Sequence, residues 1–251
     1  MMRTFELTKL LKIHFLNLNI KKNDNIVIHS DLASFGLYNP NLPRIFFKTL
    51  KGIIGKNATI ALPLYNTMLD KKKIVDIKND FGIKENSILS KYFFKKFKFV
   101  KTCSVFHSHL IHGNLEKKFQ KNKNFNSFGK SSDFDLFYKN NFKLLLFGCD
   151  AATGCTYLHH IENKFNTKYR QKKIFKLKLK IKNKIVSKKI IYKVRKKNIY
   201  QNFNKIFNLP SIKKITKSNK FHFGKSYLVD IKEFDSLCTM ILKRRPNILN
   251  L

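Results

Sequence analysis

The chain has 251 residues, of which 43% are hydrophobic and 25 are phenylalanine. This apolar content can form a sizeable core, and it argues against an intrinsically disordered protein. The formal net charge of +37, from 52 Lys and Arg against 15 Asp and Glu, would attract anionic partners such as nucleic acids or phosphorylated molecules.

The distribution of the charge does not favour a dedicated nucleic-acid-binding protein. The excess is mostly lysine, spread over the whole chain and accompanied by much Asn, Ile and Phe, as A/T-biased coding produces. A nucleic-acid reader concentrates its charge on one face and carries a known binding module. We therefore expect small-molecule partners and a monomer or a homodimer.

The cysteines and the apolar runs bear on the compartment. The four cysteines form no CxxC pair, which is typical of a reduced, cytosolic setting. No apolar run is long enough to span a bilayer, and the N-terminus lacks a signal-peptide core. We expect a soluble, cytoplasmic protein without a membrane partner.

The first thirty residues predict a helix followed by a buried strand. Apolar residues recur at helical spacing from residue 10 to 16, and Thr8 is the predicted N-cap. Residues 26–28 are a run of Ile and Val typical of a buried strand. That strand would place His29 and Ser30 at its carboxyl end.

The next sixty residues repeat the alternation. Residues 43–55 predict a helix closed at Gly52 or Gly55, and residues 58–63 predict a buried strand that stops at Pro63. This order predicts an α/β fold: a single domain over residues 1–251 with a central, mostly buried mixed sheet flanked by helices. Ligands collect at the carboxyl ends of strands in such sheets.

The middle of the chain continues the pattern. Residues 65–80 are polar and predict a loop, residues 86–97 an amphipathic helix, and residues 99–113 an extended segment. Residues 131–141 begin with serine and acids, which suit the start of a helix. Residues 143–147 are the strongest buried-strand signal in the chain.

The last third predicts a hairpin and a terminal helix. Apolar residues alternate with lysine from Phe175 to Ile181, and after a turn the pattern resumes, so a hairpin insertion is expected over about 174–195. Its lysines suit either the solvent face of a sheet or a site for an anionic ligand. A helix with an apolar face should end before Pro246.

The stretch "GCDAATGCTYLHHIEN", residues 148–163, combines the features of a catalytic site. Its small residues allow a tight turn into a helix that starts near Thr156. His159 and Glu162, three residues apart, would share one helix face and form a hydrogen bond. A carboxylate that orients an imidazole makes it a better general base.

Two other interpretations of this stretch stay open. The spacing alone favours an ordinary surface or half-buried His–Glu pair. A zinc site could use Cys149, Cys155, His159 and Glu162, but the spacing matches no familiar zinc pattern, and we expect no metal.

Four segments, in order, carry a resemblance to a known family. They are "IVIHSDLASFG" (26–36), "KTCSVFHSHLIHG" (101–113), "SFGKSSDFDLFYKNNFKLLLFG" (127–148) and "CTYLHHIENKFNTKYR" (155–170). The chain resembles the aminoglycoside 3-N-acetyltransferase family, most closely its members in surface-sugar biosynthesis. The resemblance implies a fold other than the GNAT fold, acetyl-CoA as the acetyl donor, and an amine of a sugar as the acceptor.

The resemblance also implies a role for each matching residue. His159, oriented by Glu162, would take a proton from the amine, and Thr156 would polarise the thioester carbonyl. The acetyl-CoA cleft would be lined by residues of two early segments, namely His29, Ser30, Ser104 and Ser108.

Several positions depart from the family pattern and concern the acceptor. Resistance enzymes have His and Pro where this chain has Ser104 and Val105, an acid where it has Lys91, and Gly where it has Ser87. With few acids to bind a polycationic antibiotic, an amino sugar, including a nucleotide-linked one, is the preferred acceptor over an aminoglycoside. The alternative function is basic nucleic-acid binding on an inactive acetyltransferase scaffold.

Overall fold

The structure is a computed structural model that describes residues 3–37, 39–67, 73–82, 84–165 and 167–250. The helices are α1 (Thr4–Asn17), α2 (Leu42–Ile54), α3 (Ile88–Lys96), α4 (Glu116–Lys121), α5 (Asp133–Lys139), α6 (Ala151–Gly154), α7 (Tyr157–Asn163), α8 (Asn204–Phe207), α9 (Pro210–Ile215) and α10 (Ile231–Arg244). The strands are β1 (Asn25–Ser30), β2 (Thr59–Tyr65), β3 (Val75–Asp76), β4 (Val100–Lys101), β5 (His107–Gly113), β6 (Phe142–Phe147), β7 (Arg170–Ile181), β8 (Lys184–Arg195), β9 (Lys217–Phe221) and β10 (Gly224–Asp230).

The central sheet is mixed, as predicted. Its order is β4-β5-β2-β1-β6-β10-β9. β1 is parallel to both β2 and β6, whereas β5 and β10 run antiparallel to their inner neighbours. The carboxyl ends of β1, β2 and β6 therefore meet at one edge of the sheet.

Alternate residues of the inner strands pack against helices on opposite faces of the sheet. Ile26 and Ile28 of β1 belong to a core cluster with apolar residues of α1, α2 and α3. Val27 belongs to a second cluster, with residues of α5, α7 and α10. Helices on both sides of the sheet confirm the predicted layered α/β architecture.

The predicted lysine-rich hairpin is formed by β7 and β8. The antiparallel register runs from Arg170 opposite Arg195 to Ile181 opposite Lys184, so the hairpin begins earlier than expected from the sequence. β3 adds to it in parallel and forms a second, 3-stranded sheet. The hairpin starts only seven residues after the end of α7, so its root lies beside the stretch 148–163.

Two predicted boundaries are wrong for identifiable reasons. α1 begins at Thr4, not after Thr8, because the side chain of Glu6 accepts a hydrogen bond from the backbone N–H of Arg3 at 3.1 Å and caps the helix earlier. β2 continues through Pro63, which lies opposite His109. The backbone N–H and C=O of His109 both bond Thr102, which lies on the side of β5 away from β2. Pro63 and His109 are therefore a non-hydrogen-bonded pair of the β2–β5 ladder, which needs no N–H from the proline.

No helix in the described part of the chain is both long enough and apolar enough to cross a membrane.

The side chain of Phe147 is central to the first core cluster and yields a stability prediction. It is fully buried, and its ring centroid lies 4.5 Å from that of Phe35 and 4.8 Å from that of Phe46. Replacing Phe147 with Ala should lower the free energy of unfolding by about 3–5 kcal/mol. Phe5→Ala, at a position 79% exposed, should change it by less than about 0.5 kcal/mol. Urea denaturation of both variants provides the test, and equal effects would contradict the packing.

Candidate active site

The stretch 148–163 follows β6 directly and forms the two short helices α6 and α7. Gly148 has φ +75°, and a Cβ there would lie 2.3 Å from the backbone oxygen of Asp31, so glycine is required on both counts. The side chain of Asp150 accepts a 2.9 Å hydrogen bond from the N–H of Thr153. This cap makes residues 151–154 one helical turn instead of the predicted tight turn. α7 then begins directly after Thr156, as expected.

His159 and Glu162 form the predicted pair. Nδ1 of His159 lies 2.8 Å from Oε2 of Glu162, with the carboxylate side chain fully buried and the imidazole 25% exposed. Phe203 packs edge-on against the imidazole, with ring centroids 4.8 Å apart. The imidazole is thus held between an aromatic ring and a carboxylate.

Four donors surround the Glu162 carboxylate. Oε2 accepts hydrogen bonds from Nδ1 of His159 and from Nη2 of Arg170, the latter at 2.7 Å. Oε1 accepts from the Tyr169 hydroxyl at 2.7 Å and from Nε2 of Gln201 at 2.6 Å. A carboxylate has about four lone-pair sites, and here each has a partner. The charge can be buried because it is saturated with hydrogen bonds.

The hydrogen bonds of Arg170 determine the imidazole tautomer. Its Nη2 also lies 2.6 Å from Nδ1 of His159 and 3.0 Å from Oε1 of Gln201. The two hydrogens on Nη2 are taken by Glu162 and Gln201, so Nδ1 of His159 keeps its own hydrogen and donates it to Glu162. Nε2 of His159 is then unprotonated, and it has no hydrogen-bond partner among the residues that the structure describes.

The same contacts shift both pKa values downward. Burial lowers the pKa of His159, the hydrogen bond with Glu162 raises it, and the positive charge of Arg170 lowers it, with a net decrease. Burial alone would raise the pKa of Glu162, but its bond to His159, the charge of Arg170 and the bond from Tyr169 bring it to about 2. At neutral pH the pair is therefore a neutral imidazole and a carboxylate.

A cavity of about 220 Å³ lies at the carboxyl ends of β1 and β2, and neither His159 nor Glu162 is among the residues that line it. Thr156 lines it, and its side chain makes no capping bond to α7. The predicted cleft residues His29 and Ser30 line it as well. The full lining is His29, Ser30, Asp31, Pro63, Tyr65, Glu85, Ser87, Ser90, Cys149, Thr153, Gly154 and Thr156.

The other two predicted cleft residues have different surroundings. The Ser108 hydroxyl donates to the backbone oxygen of Leu64 at 2.5 Å, and the Ser104 hydroxyl accepts from the N–H of His107 at 3.3 Å. Both serines are buried, and neither is among the residues that line the cavity. Their contact with a ligand stays a prediction.

A larger cleft of about 560 Å³ lies on the far side of α6, between α8, α9 and β10. It contains none of the predicted site residues. The smaller cavity is the better candidate because it joins Thr156, one helical turn from His159, to the carboxyl ends of the parallel strands.

The pair is half-buried, with the side chain of Glu162 fully buried and the imidazole of His159 25% exposed, so the surface-pair interpretation is wrong and the half-buried one stays open. The zinc interpretation gains no support. A zinc site would need lone pairs that Glu162 already shares with four protein donors, and no metal-binding group of three or more His, Cys, Asp or Glu occurs among the described residues. Burial raises the pKa of Cys149 to about 12, so this thiol is also a poor nucleophile.

Sequence reasoning missed several residues that complete the site. Tyr169 and Arg170 end the segment "CTYLHHIENKFNTKYR", and their place where a strand begins, six and seven residues beyond the helix, could have marked them. Gln201 lies 39 residues from Glu162 with no local signal. Ser87, at a position expected to be glycine, accepts a 3.1 Å bond from Ser30 and also caps α3.

The depressed pKa of Glu162 yields a prediction about stability and pH. A carboxylate whose pKa falls from 4.5 to about 2 on folding stabilises the protein above pH 4.5, and this contribution is lost as the pH falls toward 2. Glu162→Gln should therefore cost roughly 3 kcal/mol more at pH 6 than at low pH, with part of the difference already gone at pH 3.5. Urea denaturation at both pH values, with the exposed Glu233→Gln as control, provides the measurement. A cost for Glu162→Gln that is equal at pH 6 and 3.5 would contradict the saturated carboxylate.

Comparisons with known proteins identify the family of the chain. The family model described as aminoglycoside 3-N-acetyltransferase matches residues 27–242. Among curated proteins, none matches the chain in sequence.

Solved structures show the same fold at low identity. "AAC-IIIb binary with CoASH" is 13% identical, with a TM-score of 0.79 over 95% of this chain and 96% of that one. The YokD protein from Bacillus subtilis is 14% identical, with a TM-score of 0.80 over 96% and 94%. Sisomicin-bound AAC-VIa is 13% identical, with a TM-score of 0.73 over 95% and 98%. The family match covers most of the chain, and the chain therefore belongs to the aminoglycoside 3-N-acetyltransferase family of acyltransferases.

Proposed function

We propose that the chain is an acetyl-CoA-dependent N-acetyltransferase in which His159 is the general base. The observation that carries this proposal is the 2.8 Å contact between Nδ1 of His159 and Glu162, which leaves Nε2 of a 25% exposed imidazole unprotonated, one helical turn from Thr156 in the wall of the cavity. A neutral imidazole with one nitrogen oriented and the other available is the form that accepts a proton.

The reaction needs no covalent enzyme intermediate. Nε2 of His159 removes a proton from the substrate amine as the nitrogen attacks the thioester carbonyl carbon. A C–N bond forms, the C–S bond of the thioester breaks, and the leaving CoA sulfur takes the proton from His159. The products are the N-acetylated amine and the free thiol, and the imidazole returns to its neutral form. Glu162 stabilises the transient imidazolium because its charge is opposite and its contact direct.

The acetyl donor enters at the carboxyl ends of β1 and β2. His29 and Ser30 line the cavity there, next to Thr156. The Ser30 hydroxyl bonds Ser87, which in turn bonds Ser90 at 3.2 Å, so the wall presents a row of hydroxyl groups. A cavity of about 220 Å³ accommodates the thioester end of acetyl-CoA and leaves its nucleotide outside. The family membership and the CoA in AAC-IIIb support this donor.

The acceptor in this proposal is an amino sugar that carries an anionic group, such as a nucleotide-linked sugar. The first pairs of the β7–β8 hairpin place four basic residues together at its root: Arg170 opposite Arg195, and Lys172 opposite Lys193. Two residues of strand span roughly 7 Å, so this basic root lies within reach of a phosphate on a sugar bound at His159. Aminoglycosides carry several ammonium groups, which the root would repel, although Asp31 and Glu85 at the cavity offset some of its charge.

The general-base role predicts the effect of two substitutions. His159→Ala should lower kcat/KM by roughly 10²- to 10⁴-fold, because no other group replaces the base. Glu162→Gln should lower it less, because the imidazole remains but loses its negative partner. Thiol release from acetyl-CoA, measured with a panel of amino sugars, nucleotide-linked amino sugars and aminoglycosides, checks both variants.

The control for this experiment is His222→Asn. His222 is exposed in the turn between β9 and β10, with φ +49°, a conformation that asparagine also adopts. Its rate should equal that of the wild type. Unchanged rates in folded His159→Ala would remove this residue from the mechanism. Absence of thiol release together with nucleic-acid affinity that falls steeply with salt would favour the alternative function.

The basic root predicts which acceptors lose affinity on charge reversal. The double variant Lys172→Glu/Arg195→Glu should raise KM for a nucleotide-linked amino sugar by at least about tenfold, the effect of one lost bond to a charged group. KM for the same sugar without phosphate should change far less. The ratio of the two KM values is the measurement.

A matched control uses the same change of charge at a distance. Lys178→Glu/Lys184→Glu lies about 25–35 Å along the hairpin from Arg170, beyond the reach of a bound sugar nucleotide. If this control raised KM as much as the root variant, the effect would come from the net positive charge of the whole protein and not from a phosphate-binding site at the root.

A further inference from the structure

The β7–β8 hairpin has an inner and an outer face. The inner face packs in a third core cluster, in which Leu177, Leu179 and Ile190 are buried. Side chains alternate between the two faces of a strand, and directly opposite residues of an antiparallel pair share a face. The outer face beyond the root therefore consists of the remaining residues of the register, all of them exposed: Ile174, Lys176, Lys178, Lys180, Ile185, Ser187, Lys189 and Ile191.

The lysines of the outer face have little compensation from acids. Lys176 lies directly opposite Lys189, and like charges in this arrangement destabilise an antiparallel pair. Neither amine forms a hydrogen bond or an ion pair with the residues that the structure describes. Lys180 lies 3.6 Å from Asp76 of β3, but neither β7 nor β8 contains an Asp or a Glu. An anionic partner would offset the repulsion between these lysines.

Isoleucines lie among the lysines, and about half of each side chain is exposed. The exposed fractions are 52% for Ile174, 56% for Ile185 and 46% for Ile191. Ile174 is directly opposite Ile191, so these two side chains form one apolar patch. Lysines mixed with exposed aliphatic groups match the interface of a bilayer, where amines contact phosphate headgroups and aliphatic groups contact acyl chains.

We infer that the outer face of the hairpin binds the surface of an anionic lipid bilayer. Residues 174–180 span roughly 20 Å along the strand, so several lysines contact the same surface at once. Binding of this kind is peripheral and needs no membrane-spanning helix. The inference goes beyond the transferase chemistry, which does not use the outer face, and it differs from the expectation from the sequence of no membrane partner.

Two other partners fit the outer face less well. Nucleic acids are bound through stacking on aromatic rings or through the planar guanidinium of arginine, and the outer face has neither group. The aromatic residues of the hairpin, Phe175 and Tyr192, pack against the inner cluster. A second copy of the chain would bring another formal net charge of +37 against the same lysines.

The first test measures binding to lipid vesicles. The wild type should co-sediment with vesicles of phosphatidylglycerol and phosphatidylcholine, less so as salt is added, and not with phosphatidylcholine alone. Lys176→Glu/Lys189→Glu should lower the partition coefficient by at least about tenfold, because two lysines at the lipid surface become acids. Its kcat/KM for an amino sugar in solution should equal that of the wild type, so this test is independent of the proposed function.

The matched control changes an opposed lysine pair of the central sheet. Lys220 is directly opposite Lys225 in the β9–β10 ladder, and both are exposed. Lys220→Glu/Lys225→Glu makes the same change of net charge and should keep most of the vesicle binding. An equal loss in both double variants would show attraction by the charge of the whole protein and overturn the inference.

The second test locates the contact with a fluorescent probe. The chain contains no tryptophan, so Ile185→Trp introduces a single one on the outer face. Its emission should shift to shorter wavelength when anionic vesicles are added, and brominated lipid should quench it. Phe223→Trp, at a position 89% exposed in the turn between β9 and β10, should show neither change. Equal responses of the two variants would contradict contact through the hairpin.

The same variants identify any other partner of the outer face. If Lys176→Glu/Lys189→Glu lost affinity for single-stranded DNA, or lost a dimer seen by sedimentation, while it kept its vesicle binding, the partner would be a nucleic acid or a second copy. Either result would overturn the inference. Absence of vesicle binding by the folded wild type at low salt would overturn it as well.

Discussion

The buried carboxylate of Glu162 is the interaction on which the rest of the site depends. Removing a carboxylate from water costs several kcal/mol unless donors replace the lost hydration. Here the donors come from α7, from the start of β7 and from residue 201, segments that are distant in sequence. The hydrogen bonds that orient the imidazole of His159 are therefore also the bonds that join the hairpin to the helix.

Two such hydrogen-bonded systems lie near one cavity. Asp133 bonds His109, which contacts the cavity residue Tyr65, and Glu162 bonds His159, one helical turn from the cavity residue Thr156. Burial lowers the pKa of His29 to about 3 and holds that of His107 well below the ordinary value. His29 and His107 thus add no positive charge at neutral pH.

Residue spacing and apolar runs predicted the features that depend only on residues close together in the sequence. The three-residue spacing of His159 and Glu162, and the apolar runs of β1 and β6, were enough to predict a His–Glu pair and buried strands. The sequence could not show which donors saturate Glu162, because Gln201 lies 39 residues away and is brought near by tertiary packing. Asp133 was expected only as an acid at the start of a helix, since its partner His109 is 24 residues distant. Pro63 was expected to end β2, but the strand continues through it, because the position opposite His109 requires no backbone N–H.

Saturation of Glu162 also limits how the site can be inhibited. Each lone-pair site of the carboxylate has a donor from the protein, so a cationic group designed to reach it would have to displace Tyr169, Arg170, Gln201 or the imidazole. The polar groups that a compound could reach are instead Nε2 of His159, whose side chain is 25% exposed, and the hydroxyls of Ser30 and Ser87. Under the proposed function, a compound that spans these two features would compete with donor and acceptor at once, as a bisubstrate analogue does.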